Sequence, residues 1–316
     1  NAPIFTSYCT KEWRERLNNR VKTGWLQYWP FSKLRKFIPF LRIGWFSSLN
    51  LDGFDIVISS SGAEAKGIKT APGTKHISYI HAPTHYYWSR YEEYVKSPGF
   101  GVLNPLARLG LKLLVGPLRK WDYKAAQRPN VLIANSNHTK QQINKYYNRD
   151  SIVIFPPVDV EKFKPATSAE RHGFVTTGRQ VPYKRIDLAV RACTKLNLPL
   201  TIIGNGPEHK KIIKLAGPNC TFITNASDAD MAEMLASSKA FIFPGLDDFG
   251  IAPVEAMAAG VPVVQPRHGA FPELIEASGG GLITDPTPRG LANGIESLLL
   301  NPLERQRLSL LGLEAV

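Results

Sequence analysis

Short apolar runs alternate with longer stretches of helical period along most of this chain. DIVISSS (55–61) reads as a buried strand, and HISYIHAP (76–83), VLIANS (131–136) and SIVIFPPV (151–158) read as three further strands. Between them, residues 105–128 have the repeat of a long amphipathic helix, with a break or kink predicted at Gly116–Pro117. HTKQQINKYY is a second helix, capped by Ser136 or Asn137. The segment 159–172, DVEKFKPATSAERH, is polar and aperiodic and reads as a linker. The rhythm then restarts: strands FVTTGR, LTIIG and TFIT alternate with helices RIDLAVRACTKL, EHKKIIKLAG and ADMAEMLASS. The stretch Phe241–Val264 follows, then a Gly279–Gly281 turn, the strand LIT and the helix RGLANGIESLLL. Short apolar strands alternating with helices predict parallel sheets covered on both faces. The expected architecture is α/β, with two Rossmann-like, doubly wound domains, 1–165 and 166–316. In such sheets ligands sit beyond the C-terminal strand ends, which makes a cleft between facing domains the expected site.

A length of 316 residues, 43% of them hydrophobic and 21% charged, suits two ordinary globular domains and excludes a disordered chain. The charge is unevenly placed. Residues 1–165 hold 25 Lys and Arg against 11 Asp and Glu, whereas residues 166–316 hold 14 against 15. The first domain must therefore meet something acidic or present a solvated basic face. Its opening segment mixes rings with cations (Trp25, Tyr28, Trp29, Phe31, Lys33, Arg35, Lys36, Phe37), cut into short helical pieces by Pro30 and Pro39. That composition suits an anionic membrane surface, with rings at headgroup depth and cations outside them. No nucleic-acid motif accompanies the charge, so no nucleic-acid partner is expected. Three scattered cysteines, Cys9, Cys193 and Cys220, form neither a disulfide framework nor a metal set. The expected location is the cytoplasm, with the basic domain a candidate for the inner membrane face.

Phe241–Val264, FIFPGLDDFGIAPVEAMAAGVPVV, holds the densest candidate chemistry. It predicts a strand (Phe241–Phe243), a Gly/Asp loop, a helix opened by Pro253 and a second strand (Val261–Val264). Asp247, Asp248 and Glu255 would then crowd a helix N-terminus beside the N–H groups of Phe249, Gly250 and Ile251. Such an end favours phosphate. Taken singly, each carboxylate is ordinary capping or turn chemistry. Arg179 and Lys184, in GRQVPYKR after the FVTTG strand, could grip a diphosphate, the one as a fork and the other as a point charge. Asn205, between Gly204 and Gly206, is a candidate nucleotide contact, but His209 stands where the dinucleotide fingerprint needs its last Gly. Asp228 and Asp230 read as a helix cap rather than a metal pair. No metal site is expected.

The run D-x7-E around FGIAPVEAMAAGVPVV resembles the E-x7-E signature of retaining GT-B glycosyltransferases of the GT4 class, and GR-x4-KR resembles that class's donor-diphosphate pair. The resemblance implies a GT-B fold and hexosyl transfer from a nucleotide sugar with retention, requiring neither metal nor other cofactor. It gives Glu255 the ribose, Asp247 the donor sugar, and Arg179, Lys184, Asn205 and Phe249–Ile251 the rest of the donor. HAPTHYYW is similar to the HTPTRYLW-like segment of mannosyltransferase-type members, which points His81 at the donor sugar and leaves His85 where those members carry Arg. GDP-mannose as donor, a saccharide or lipid-linked acceptor and a role in bacterial polysaccharide assembly follow by the same analogy. The class's first strand and Gly-rich loop would precede Phe5, so a shortened N-terminal domain is expected. Another GT-B nucleotide-sugar enzyme, epimerase- or phosphorylase-like, and a non-enzymatic basic binding protein remain alternative readings.

Overall fold

The computed structural model describes residues 2–35, 37–61, 63–99, 101–165 and 170–316. Lys36 of the ring-and-cation segment and part of the 159–172 linker lie outside the described residues. The chain divides into two compact units. One is residues 1–135 with 139–154; the other is 155–316 with Ser136–His138. The change of unit thus falls after Ile154, where the sequence division placed it after 165.

In the first unit, β1 (Ile4–Phe5) and β2 (Val21–Lys22) form a small parallel pair. The main sheet is parallel, in the order β3 (Ile56–Ser61), β4 (Lys75–Ile80), β5 (Val131–Ala134) and β6 (Ile152–Val153). Alternation decides which side chains are buried. Ser59, Ser61, His76, Ser78, Ile80, Leu132 and Ala134 are buried. The opposite face is open where β3 lies at the sheet edge: Ile56 and Ile58 are 58% and 72% exposed. This corrects the expectation of a wholly buried DIVISSS strand. An edge strand with one neighbour is covered only where other elements reach it.

The long helix runs unbroken over Asn104–Ala126 with Pro117 inside it, so no break occurs at Gly116–Pro117. Its buried side, including Leu118, Asp122, Ala125 and Ala126, anchors it to the unit. Asp122 lies at a polar hub with no solvent exposure. Its carboxylate pairs with Lys66 Nζ at 2.6 Å and accepts from Thr84 Oγ1 at 2.9 Å, Trp88 Nε1 at 2.8 Å and the Tyr147 hydroxyl at 2.7 Å. Burial, with Asp122 next in effect, pushes the Tyr147 phenol well above its ordinary range.

The second unit holds a six-stranded parallel sheet: β7 (Phe174–Thr177), β8 (Leu200–Ile203), β9 (Cys220–Ile223), β10 (Ala240–Ile242), β11 (Val263–Pro266) and β12 (Gly281–Thr284). Its order is β12-β11-β10-β7-β8-β9, the doubly wound arrangement in which the chain first builds outward from β7 and then reverses at β10. Successive strand residues feed opposite cores. Phe174, Ile202, Ile242 and Val264 pack with the Ile186–Lys195 and Pro288–Leu300 helices. Val175, Ile203, Phe241 and Val263 pack with Leu235, Met257 and Ile275 of three helices on the other side. Both faces are therefore covered, as continuous apolar strands require.

Candidate functional site

The reversal point lies between the carboxyl ends of β7 and β10, where doubly wound sheets hold their ligands. Two loops meet there. After β7, Gly178 leads to a 3₁₀ turn at Pro182–Lys184, and after β10 the chain runs through Gly245 to Asp247. Leu246 N donates to Tyr183 O at 3.0 Å and ties the loops together.

Lys184 Nζ lies 2.7 Å from Asp247 Oδ1, so the structure brings together two residues 63 positions apart. The ammonium also lies 5.7 Å from the Phe243 ring centroid. Asp247 is held from behind as well, because Ala270 N donates to its carbonyl at 2.9 Å. Its second carboxylate oxygen, Oδ2, is buried with no hydrogen-bond partner. A buried acceptor left unmet costs about 1–3 kcal/mol, so it marks a place for a donor. Gly245 makes the arrangement possible: a Cβ there would lie 2.7 Å from Asp247 Oδ2.

The helix that follows spans Ile251–Ala258. It starts two residues before Pro253, with Gly250 as N-cap at φ 96°, a conformation that suits glycine. Proline fits this first turn because its missing N–H has no partner to lose there. Glu255 consequently falls in the second turn, not the first. No side chain caps the N-terminus, so its N–H groups remain a favourable anion site. Phe249 packs against Phe155 with ring centroids 5.6 Å apart, and Ile251 is about half exposed. The Glu255 carboxylate is half-buried, and it receives no hydrogen bond or ion pair from the described residues. Burial raises its pKa first, Asp228 adds to the rise, and Lys162 opposes it.

Arg179 is exposed on the same β7 loop. Asn205 uses its side-chain oxygen to accept from Gly206 N at 2.7 Å. These loops are clamped by Gln180, which is fully buried: its amide donates to Gly204 O at 2.8 Å, and its oxygen lies 2.8 Å from His209 Nδ1. Sequence reasoning missed Gln180, the tie between Gln180 and His209, and the placing of Lys162 and Asp228 near Glu255. Their roles depend on contacts across loops that carry no local pattern. The Asp228/Asp230 reading needs one adjustment. Ser227 is the cap, exchanging hydrogen bonds with Asp230 in a capping box.

His81 belongs to the first unit, one residue past β4, and is exposed. Its Nε2 lies 2.8 Å from Ser60 Oγ, and its ring meets Tyr79 edge-on at 5.2 Å. His85 Nδ1 lies 2.9 Å from Ser89 Oγ. Among the described residues no group of three His, Cys, Asp or Glu could hold a metal ion, and no helix is long and apolar enough to cross a membrane.

Residues 157–310 match the family model described as glycosyl transferases group 1. The MMP alpha-(1->4)-mannosyltransferase of Mycolicibacterium hassiacum is 28% identical over 199 residues, covering 58% of this chain and 48% of that protein. The phosphatidyl-myo-inositol mannosyltransferase of Mycobacterium leprae is 27% identical over 226 residues, covering 66% and 59%. The chain thus spans about half the length of the relatives it matches. Among solved structures, the sucrose-phosphate synthase of Thermosynechococcus elongatus superposes with a TM-score of 0.69 over 93% of this chain and 77% of its own, at 16% identity, which is a likeness of fold. The family match coincides with the unit that carries the Lys184–Asp247 pair and the Gly250 helix end, and it is this second unit that resembles the glycosyl transferases group 1.

Proposed function

We propose that this chain transfers a hexosyl group, mannosyl by preference, from a nucleotide sugar to a saccharide or lipid-linked acceptor with retention of configuration. GDP-mannose is the proposed donor, by analogy with the mannosyltransferase relatives. The observation that carries the reading is Asp247 at the sheet's reversal point, with one oxygen on Lys184 and the other buried and unmet. A donor sugar hydroxyl would satisfy that second oxygen once a turn of the Asp247 side chain brings it out to the ligand. An ammonium has three protons, so Lys184 can keep Asp247 and still give two to phosphate oxygens. Arg179 and the N–H groups following Gly250 complete the diphosphate's surroundings, and Glu255 accepts from the ribose hydroxyls.

This set stabilises the charge that develops as the nucleoside diphosphate departs, work that fixed dipoles and cations do well in a dry site. The bond from the anomeric carbon to the diphosphate oxygen breaks while the acceptor oxygen bonds to that carbon on the same face. The acceptor's proton passes to the leaving diphosphate. His81 is assigned the donor-sugar contact through the HAPTHYYW resemblance, and no metal is given a part. The cytoplasm and an anionic membrane surface are the proposed setting. A thermal-shift series with GDP, UDP and ADP tests the donor assignment, since ligand at a hundred times Kd stabilises by about 2.7 kcal/mol. Stabilisation by none of the three would refute it.

A further inference from the structure

The first unit contains a cavity of about 600 Å³ walled by one side of the Asn104–Ala126 helix, the segment at Phe37–Arg42 and the tyrosines Tyr86, Tyr87 and Tyr94. Its size lies within the ~300–1,000 Å³ of small-ligand sites, and its lining is mostly apolar. The one charged group in the wall, Arg42, is already engaged by Glu64 at 2.7 Å and the Tyr86 hydroxyl at 3.1 Å. Apart from the Tyr87 hydroxyl, which is buried without a hydrogen-bond partner, a polar ligand would find little to bind, and an apolar one would find walls on several sides.

The mouth of the cavity can be located. Leu103, Leu106 and Leu114 line it, yet they are 57%, 68% and 41% exposed, so the cavity opens where the helix meets solvent. From that mouth Leu106, Leu109 and Leu113 continue as a stripe of exposed leucines at helical spacing, with two exposed cations on the same helix: Lys112, and Arg108, whose guanidinium also donates to Val95 O at 2.8 Å and Lys96 O at 3.1 Å. An apolar hole with exposed leucines at its mouth, and cations further round the same helix, matches an amphiphile with a hydrocarbon chain and an anionic head.

We propose that this cavity takes the alkyl or prenyl chain of an anionic lipid, leaving the headgroup outside by Arg108 and Lys112. The proposal rests on the lipid-linked option for the acceptor and names the part of the chain that would hold its tail. Gly110 offers a direct test. It lines the cavity, and a Cβ built on it meets nothing within 4 Å, so Gly110→Leu should fill the space without a clash and favour the helix.

The probe is a fluorescent sixteen-carbon fatty acid used below its critical micelle concentration with the full chain. Saturable binding is expected, weakened at least tenfold by Gly110→Leu and also by Leu106→Asp. Thermal stabilisation by GDP should be unchanged in both variants, which separates failure here from failure of the donor reading. Absence of saturable binding, or wild-type binding by Gly110→Leu, overturns the proposal. So does binding to phosphatidylglycerol vesicles without uptake of the monomeric chain, or a dimer that Leu106→Asp dissolves while no chain is bound.

Discussion

Asp122→Ala should be among the most destabilising single changes in the first unit. The carboxylate has no solvent exposure, and its Lys66 partner is equally buried. Removing the carboxylate leaves the ammonium with only neutral partners, Ala63 O at 2.6 Å and Thr84 Oγ1 at 3.3 Å. Breaking a buried pair in this way costs roughly 3–5 kcal/mol, because an uncompensated charge stays inside. Thr84, Trp88 and Tyr147 lose an acceptor at the same time. These losses share one centre and do not add, so the expected total is about 4–5 kcal/mol. That is a large part of the ~5–15 kcal/mol that holds a typical domain. Urea unfolding followed by tryptophan fluorescence is a suitable assay, since Trp88 bonds Asp122 and stacks on Tyr146 at 5.1 Å. The two units need not melt together, so the transition must be assigned before a free energy is extracted. The double variant Lys66→Met with Asp122→Leu should lose less than Asp122→Ala alone, because it removes the stranded charge. A single-variant loss below about 1 kcal/mol, or a double variant worse than the single, would refute the view of Asp122 as the hub's counter-charge.

Gly245→Ala pushes a methyl against Asp247 Oδ2. It should cut kcat/KM on the order of a hundredfold with little change in melting temperature, because small misplacements of a reacting group are costly; unaltered kinetics would remove Asp247 from the site. Glu255→Ala should raise the donor KM or abolish turnover, and steady-state kinetics with GDP-mannose would show it. Because burial raises the Glu255 pKa, donor binding should weaken as pH falls while still above 4.5, and Glu255→Gln should flatten that dependence; a profile identical in both proteins contradicts the assignment. Burial, and secondarily Arg128, holds His76 down at about 4 from an ordinary 6.5. The folded state therefore refuses a proton that the unfolded chain accepts, so stability from this group is complete above pH 6.5 and drains as pH falls toward 4. The loss should be on the order of 3 kcal/mol, and urea midpoints for wild type and His76→Asn across that range should converge at the acid end.

Much of this molecule could be read from its one-dimensional pattern. Strand and helix alternation gave the α/β class, because a short run such as FVTT, apolar on both alternating faces, is stable only with cover on both sides. Local chemistry also located the helix end after Asp248, since a helix-compatible proline following a Gly/Asp loop is a short-range signal. Local signals erred by small registers, as at Pro253, where backbone preference alone cannot say how many residues precede the proline. Tertiary structure decided the rest. The pairing of Lys184 with Asp247 depends on β7 lying beside β10, a neighbour relation that strand order alone sets. Ile56 and Ile58 look like core residues in sequence, yet an edge position leaves them open. Gln180, Gly245 and the Lys66–Asp122 hub carry no spacing signal, because their partners are brought to them by packing between distant segments. Hydrophobic periodicity acts through near neighbours and fixes elements; contacts at long sequence separation exist only once those elements have packed.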